Sequence, residues 1–191
     1  MSEAIEGKVV LITGGGTGLG AETARHLASK GAIVAIAARR RNKLDEVVAQ
    51  ITGAGGRASA YLLDVADKKQ FKGVVDVVIA DFGRLDVLIN NAGLMPIRPM
   101  AEVNTDEWDA MINVNLRGTL RHRCRTVAIF LNQGSGDLKF TTTATSRSNV
   151  MELYKAAIPA SSVARAIVFA IEQPADVDIN EIVVRPTAEE F

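Results

Sequence analysis

Val9-Val10-Leu11-Ile12-Thr13-Gly14-Gly15-Gly16-Thr17-Gly18-Leu19-Gly20 is an apolar run that breaks into five glycines within seven residues and then enters a helical pattern. It reads as a strand, a tight turn and a helix start. At Gly14, Gly18 and Gly20 the missing Cβ lets the chain turn sharply and lets a bulky group come close. Unpaired N–H groups at the start of the next helix, with the positive end of its dipole, suit an anion. The stretch is therefore expected to cradle the phosphates of a dinucleotide. A P-loop is excluded, because no Gly-Lys-Ser/Thr follows.

On either side of this turn, strand and helix alternate. Lys8 to Ile12 is the first expected strand, and Gly18 to Lys30 a helix whose Ala21, Ala24, Leu27 and Ala28 form a small-residue face, stopped by Gly31. Ile33 to Ala37 is a second strand, followed by a helix through Leu44, Val47, Val48 and Ile51 that ends at Gly53. Ala58 to Leu63 is a third strand and Asp67 to Phe82 a third helix. Leu85 to Ile89 is a fourth strand, closed by Asn90-Asn91-Ala92-Gly93. Short connections between these elements predict a Rossmann-like, doubly wound parallel α/β sheet with helices on both faces. A fourth helix is expected near Thr105, with Asp106 and Glu107 in its first turn and Trp108, Met111, Ile112 and Leu116 as its apolar positions.

Past Gly118 the texture changes. Arg121-His122-Arg123-Cys124-Arg125 stands where a sheet-covering helix needs an apolar face, and a frayed helix is the expectation there. Leu138 to Thr145 is a candidate fifth strand, and helical character returns from Asn149. A helix capped by Ser161 or Ser162 then runs through Ile171, and Glu181 to Arg185 is a last strand. The chain reads as one dinucleotide-binding domain over 1–191, shortened in its second half: residues 7–118 form the nucleotide-binding half, 119–150 diverge, and 151–187 supply the last helix and strand.

Composition narrows the functional classes. The 191 residues are 48 % hydrophobic and 23 % charged, enough to bury a core, and 22 basic residues balance 22 acidic ones. A neutral chain whose one basic tract lacks interleaved aromatics gives no case for nucleic acid. No apolar run approaches the ~20 residues of a membrane span. The single Cys124 and an opening segment with neither a basic nor an apolar region make the cytoplasm the expected location.

The end of the second strand bears on the cofactor. A site for NAD places a carboxylate there for the ribose 2′-hydroxyl, whereas NADP requires cations for the 2′-phosphate. Ala37-Ala38-Arg39-Arg40-Arg41 offers no carboxylate, and the planar arginine fork suits phosphate. NADP(H) is therefore expected, with Arg39 the leading contact and Arg40 the second; the plainer alternative is a solvated basic helix start.

Thr13-Gly14-Gly15-Gly16-Thr17-Gly18-Leu19-Gly20 and Asn90-Asn91-Ala92-Gly93 resemble the nucleotide fingerprint and the fourth-strand motif of the short-chain dehydrogenase/reductase family, over roughly residues 7 to 118 and again over 152 to 187. The resemblance implies that Gly14, Thr17, Gly18, Leu19 and Gly20 hold the pyrophosphate side. It implies that Asp64-Val65 hold the adenine, with a helix N-cap as the other reading of Asp64, and that Asn91, Ala92 and Gly93 line the ribose side. Asn113-Val114-Asn115-Leu116-x-Gly118 resembles the family's fourth-helix motif, in which the asparagine at 115 supports the active-site lysine through water. A polar residue on a helix face is the alternative.

The family's chemistry also requires a Tyr-x-x-x-Lys pair and a serine. Four residues after Tyr61 stands Val65, and four after Tyr154 stands Ile158. Tyr154 and Lys155 are adjacent, which on a helix separates them by about 100°. Ser135, Ser146 and Ser148 lie in the divergent stretch, so the tyrosine, lysine and serine are not identifiable. Too few residues lie between Gly118 and Glu152 for the strand, catalytic helix and further strand of a complete member, as though an internal segment were deleted. The expected function is hydride transfer between NADP(H) and a small alcohol or carbonyl compound. The alternatives are an NADP(H)-binding protein without turnover and a deletion product that folds poorly. The resemblance implies a homo-oligomer formed through the fourth and fifth helices, the first altered here and the second not found.

Overall fold

The computed structural model describes residues 5–96, 104–120, 122, 158–174, 176–177 and 179–184. Its sheet contains β1 (Val9–Thr13), β2 (Ile33–Ala38), β3 (Arg57–Leu62) and β4 (Val87–Ile89), all parallel in the order β3-β2-β1-β4. The crossovers are α1 (Gly18–Ser29), α2 (Arg41–Gly53) and α3 (Lys68–Phe82). Successive side chains of a strand face opposite ways, and the core divides accordingly. Val10, Ile12, Val34, Ile36 and Ile89 pack with Ala24, Leu27, Leu44 and Ile51 on one face. Val9, Leu11, Ala35, Ala37 and Leu88 pack with Phe71, Val74, Val75 and Val78 on the other.

The expected fold class is therefore present, with four described strands. β4 begins later than expected because the buried Asp86 accepts a hydrogen bond from Val9 N at 2.8 Å through its carboxylate. A side chain thus takes the place of a ladder carbonyl. Asp67 caps α3, its Oδ1 accepting from Lys69 N at 2.8 Å and Gln70 N at 3.2 Å. That settles the alternative raised for Asp64, which does not cap the helix.

α4 (Thr105–Met111) starts as expected, with Asn104 accepting from Asp106 N, and continues as a π-helix over Ile112–Gly118. Its apolar positions Trp108, Ile112 and Leu116 are exposed. α5 (Ala160–Ile171) packs along α1, burying Ile167, Val168 and Ile171 in the first core cluster, and Lys30 pairs with Glu172 at 2.7 Å. Neither Ser161 nor Ser162 caps it. Pro159, at φ −58°, occupies the cap position, so both serines fall in the first turn, and Ser162 Oγ accepts from Arg165 instead. Glu181–Val184 is not a strand: a strand exists only when paired, and among the described residues this exposed segment has no strand beside it. The expected strand over 138–145, the helix from Asn149 and nearly all of the 119–150 segment lie outside the described residues. Among the described residues no helix is long and apolar enough to cross a membrane.

Candidate dinucleotide site

At the carboxyl edge of the sheet, the β1–α1 turn and the residues after β4 are tied to one another. The buried Thr13 Oγ1 accepts hydrogen bonds from Asn91 N and Ala92 N, each at 3.1 Å. Asn91 Nδ2 donates in return to Thr13 O at 2.9 Å and Gly14 O at 3.2 Å. Gly20 explains why this closure is possible: a Cβ there would stand 2.5 Å from Gly14 O and also strike Asn91 Nδ2. Gly14 has φ +70° and Gly18 φ +56°, backbone that L side chains rarely adopt. A Cβ on Gly18 would meet nothing within 4 Å, so this residue borders open space. Thr17 makes no side-chain cap bond, which leaves the first N–H groups of α1 available to an acceptor in that space.

The space is an open cleft of about 560 Å3, within the usual ~300–1,000 Å3 of ligand sites. It brings together Gly14, Thr17, Gly18 and Leu19 from the turn, Arg39 and Arg40 after β2, Asp64 and Val65 after β3, and Asn91, Ala92 and Gly93 after β4. Gly20 stands behind this wall rather than on it. Asp64 Oδ1 accepts from Ala66 N at 2.9 Å, which orients its carboxylate. Arg40 Nη2 donates to Thr17 Oγ1 at 3.4 Å, whereas Arg39 is exposed and has no partner among the described residues. The glycine turn, unfilled helix start and cationic rim fit the phosphates of a dinucleotide.

Asn115 does not line the cleft. It holds a residue that does: its Oδ1 accepts from Leu94 N and its Nδ2 donates to Leu94 O, both at 2.8 Å. The π-helical stretch carries Asn115 toward that backbone, and π turns of this kind recur at functional sites. Gly118 of the same motif lies where a Cβ would be 3.2 Å from Val65 O. Of the basic tract after it, only His122 is described. Its ring is buried, stacked on Phe71 at 3.6 Å, with Nδ1 2.9 Å from Asn90 Oδ1. At this one position the tract is buried; the rest of the tract on which a frayed helix is expected lies outside the described residues.

Sequence reasoning missed Lys43, the third residue of α2, Ile158 just before the last helix, and Ala160 and Val163 within it, all of which line the cleft. The place of Lys43 just after Arg39, Arg40 and Arg41 was a signal for it; nothing local marked Ile158 or the residues of α5. Tyr61 is outside the cleft. Its hydroxyl donates to Asp81 at 2.7 Å, and burial first, then that carboxylate, push its pKa well above the ordinary phenol value. Tyr154, Lys155, Ser135, Ser146 and Ser148 lie outside the described residues. Among the described residues there is no cluster of metal-ligating side chains.

The profile of the short chain dehydrogenase family matches residues 8–167. The 3-oxoacyl-[acyl-carrier-protein] reductase of Thermotoga maritima is 37 % identical over 134 residues, covering 70 % of this chain and 54 % of the relative. The chain thus spans about half the length of that curated relative. An uncharacterised oxidoreductase of Staphylococcus saprophyticus aligns end to end, 28 % identical with 97 % of this chain and 98 % of the relative covered. That alignment runs over 243 positions against a chain of 191, so at least 52 of them have no counterpart here. Among solved structures, a metagenomic short-chain oxidoreductase in complex with NADP superposes with a TM-score of 0.82 at 27 % identity, covering 97 % of this chain and all of the other. The chain belongs to the short-chain dehydrogenase/reductase family, whose members are oxidoreductases that use a nicotinamide cofactor.

Proposed function

We propose that this chain holds NADP(H) in the cleft, for hydride transfer between that cofactor and a small alcohol or carbonyl compound. The observation that carries the cofactor choice is the rim after β2, where Arg39, Arg40 and Lys43 border the cleft and no carboxylate stands at the strand end. The NADP bound to the metagenomic relative agrees with this reading. Gly14, Thr17, Gly18 and Leu19 would hold the pyrophosphate, Asp64 and Val65 the adenine, Asn91, Ala92 and Gly93 the ribose side, and Arg39 and Arg40 the 2′-phosphate. The bound cofactor supplies or accepts the hydride. The chain's part is to place it, with Asn115 fixing the Leu94 backbone that borders its position. A fluorescence titration tests the reading. NADPH is expected to bind about tenfold or more tighter than NADH, from charged hydrogen bonds of roughly 1.5–3 kcal/mol to the phosphate. Equal affinities would overturn it.

A second reading, binding without efficient turnover, is favoured by one observation in the sequence: neither tyrosine is followed by lysine four residues later. Loss of that acid–base pair removes about 10²–10⁴-fold in rate. The positions of the Staphylococcus relative without a counterpart support the deletion that would account for it. Turnover assays on a panel of small carbonyls separate the two readings. NADPH binding with no turnover selects the second, and no binding together with strong uptake of a hydrophobic dye selects a poorly folded chain.

A further inference from the structure

Four cations cluster where β2 gives way to α2, and they are not equivalent. Arg41 turns away from the cleft and pairs with Asp45 at 2.8 Å. Arg39 and Arg40 border the cleft, the first unpartnered among the described residues and the second against the Thr17 hydroxyl. Lys43 borders it too, and its side chain starts beside the glycine turn: a Cβ on Gly16 would stand 3.3 Å from Lys43 Cβ. Its ammonium, however, is held by both oxygens of Glu46 at 2.8 Å. The same flexible side chain thus borders the cleft while its ammonium is held by the carboxylate one turn along its helix.

We propose that Lys43 is a third cofactor-phosphate cation and that Glu46 is its built-in competitor, so that this pair tunes how strongly the cleft prefers a 2′-phosphorylated nucleotide. The proposal rests on the NADP(H) reading above and adds residues which that reading does not use. Energetics favour the exchange. The Lys43–Glu46 pair is solvent-exposed, with side-chain exposures of 37 % and 54 %, and such i,i+3 pairs are held weakly. A phosphate monoester carries about −1.5 to −2 charges near neutral pH and three acceptor oxygens, against one charge on Glu46. The N-terminal end of α2 adds a favourable dipole for an anion and none for Glu46, which lies further along the helix. The ligand therefore takes the ammonium from Glu46, and Glu46 subtracts from the affinity gained.

The test is titration of wild type, Lys43→Met, Glu46→Gln, the double variant and Arg39→Met with NADPH, NADH and adenosine 2′,5′-bisphosphate at low ionic strength. All of these substitutions are on exposed or half-exposed side chains, so folding is checked simply by circular dichroism. Lys43→Met is expected to weaken NADPH and the bisphosphate about two- to fivefold and to leave NADH unchanged. Glu46→Gln is expected to tighten both phosphorylated ligands by a similar factor, and the gain should vanish in the double variant. An unchanged NADPH affinity in Lys43→Met, or an equal loss for NADH, would overturn the proposal while a selective loss in Arg39→Met left the NADP(H) reading standing. A Glu46→Gln gain that persists without Lys43 would overturn the competition. Wild type that binds NADH as tightly as NADPH would overturn the cofactor reading, and this proposal with it.

Discussion

Asn91 on the wall of the cleft exchanges hydrogen bonds with the buried Thr13 behind it, whereas on the rim Arg39 and Arg40 are exposed and Lys43 is half-exposed. The wall is fixed before any ligand arrives. Its donors and acceptors meet one another, and the sheet and α1 leave them no alternative. On the rim, among the described residues, Arg40 meets only the Thr17 hydroxyl and Lys43 only the exposed Glu46 carboxylate, weak contacts that an anion can replace. Shape at this site therefore comes from packing that a single methyl group disturbs, while on the proposed reading preference between nucleotides would come from charges that substitution alters without touching the fold. Such division predicts that wall variants lose stability and binding together, and rim variants lose binding alone.

The largest effect is expected at Gly20. A Gly20→Ala substitution pushes a Cβ into Gly14 O and the Asn91 amide, forcing backbone to move. Overpacking of this kind costs about 1–3 kcal/mol, and each hydrogen bond lost by Asn91 adds roughly 1 kcal/mol. Urea denaturation should show the loss, and NADPH titration a parallel fall in affinity. A stable variant that still binds would mean that wall and rim are not built differently. Arg39→Met comes next and should do the opposite: about ten- to hundredfold weaker NADPH binding, unchanged NADH binding and an unchanged denaturation midpoint. Thr13→Val keeps the shape of the side chain but removes the acceptor for Asn91 N and Ala92 N. It should lower stability by about 1–3 kcal/mol, with a smaller loss of binding.

The wall was legible in the sequence because its glycines and the apolar run before them are local signals of period and turn. The first four strands and three helices follow for the same reason, and so do Arg39 and Arg40, fixed by their place after β2. What escaped depends on distant partners. Lys43 follows close on the arginines, but its place on the cleft shows only once its Cβ is seen beside Gly16. His122 reads as part of a charged tract until Phe71 and Asn90 close around it. The π-helical turn that brings Asn115 to Leu94 has no propensity signature, since it is selected by the contact it makes. Glu181–Val184 has a strand's composition, but composition cannot supply the neighbour that a strand requires. The cap of α5 was misplaced because a proline bounds the helix: without an N–H, and with the α conformation disfavoured in the residue before it, Pro159 can stand only at the helix's N-terminal end, and both serines fall inside.

The smallest expected effect separates two aspartates three residues apart. Asp64 borders the cleft, while Asp67 accepts from Lys69 N and Gln70 N at the start of α3. Hydrogen bonds from Gln70 N and then Lys69 N hold the Asp67 carboxyl below its ordinary value of 3.8. A carboxyl depressed by folding stabilises the native state above the unfolded pKa, and that contribution disappears as the pH falls through the folded pKa. Asp67→Ala should thus lower the melting temperature slightly at neutral pH, with the difference from wild type closing at a pH below the usual carboxylate range. NADPH affinity should not move. Asp64→Ala should give the reverse pattern, weaker cofactor binding with little change in melting temperature, because the residue borders the cleft and caps no helix. If Asp67→Ala weakened NADPH as much as Asp64→Ala does, the cap and the cleft would be coupled, and the wall would extend into α3.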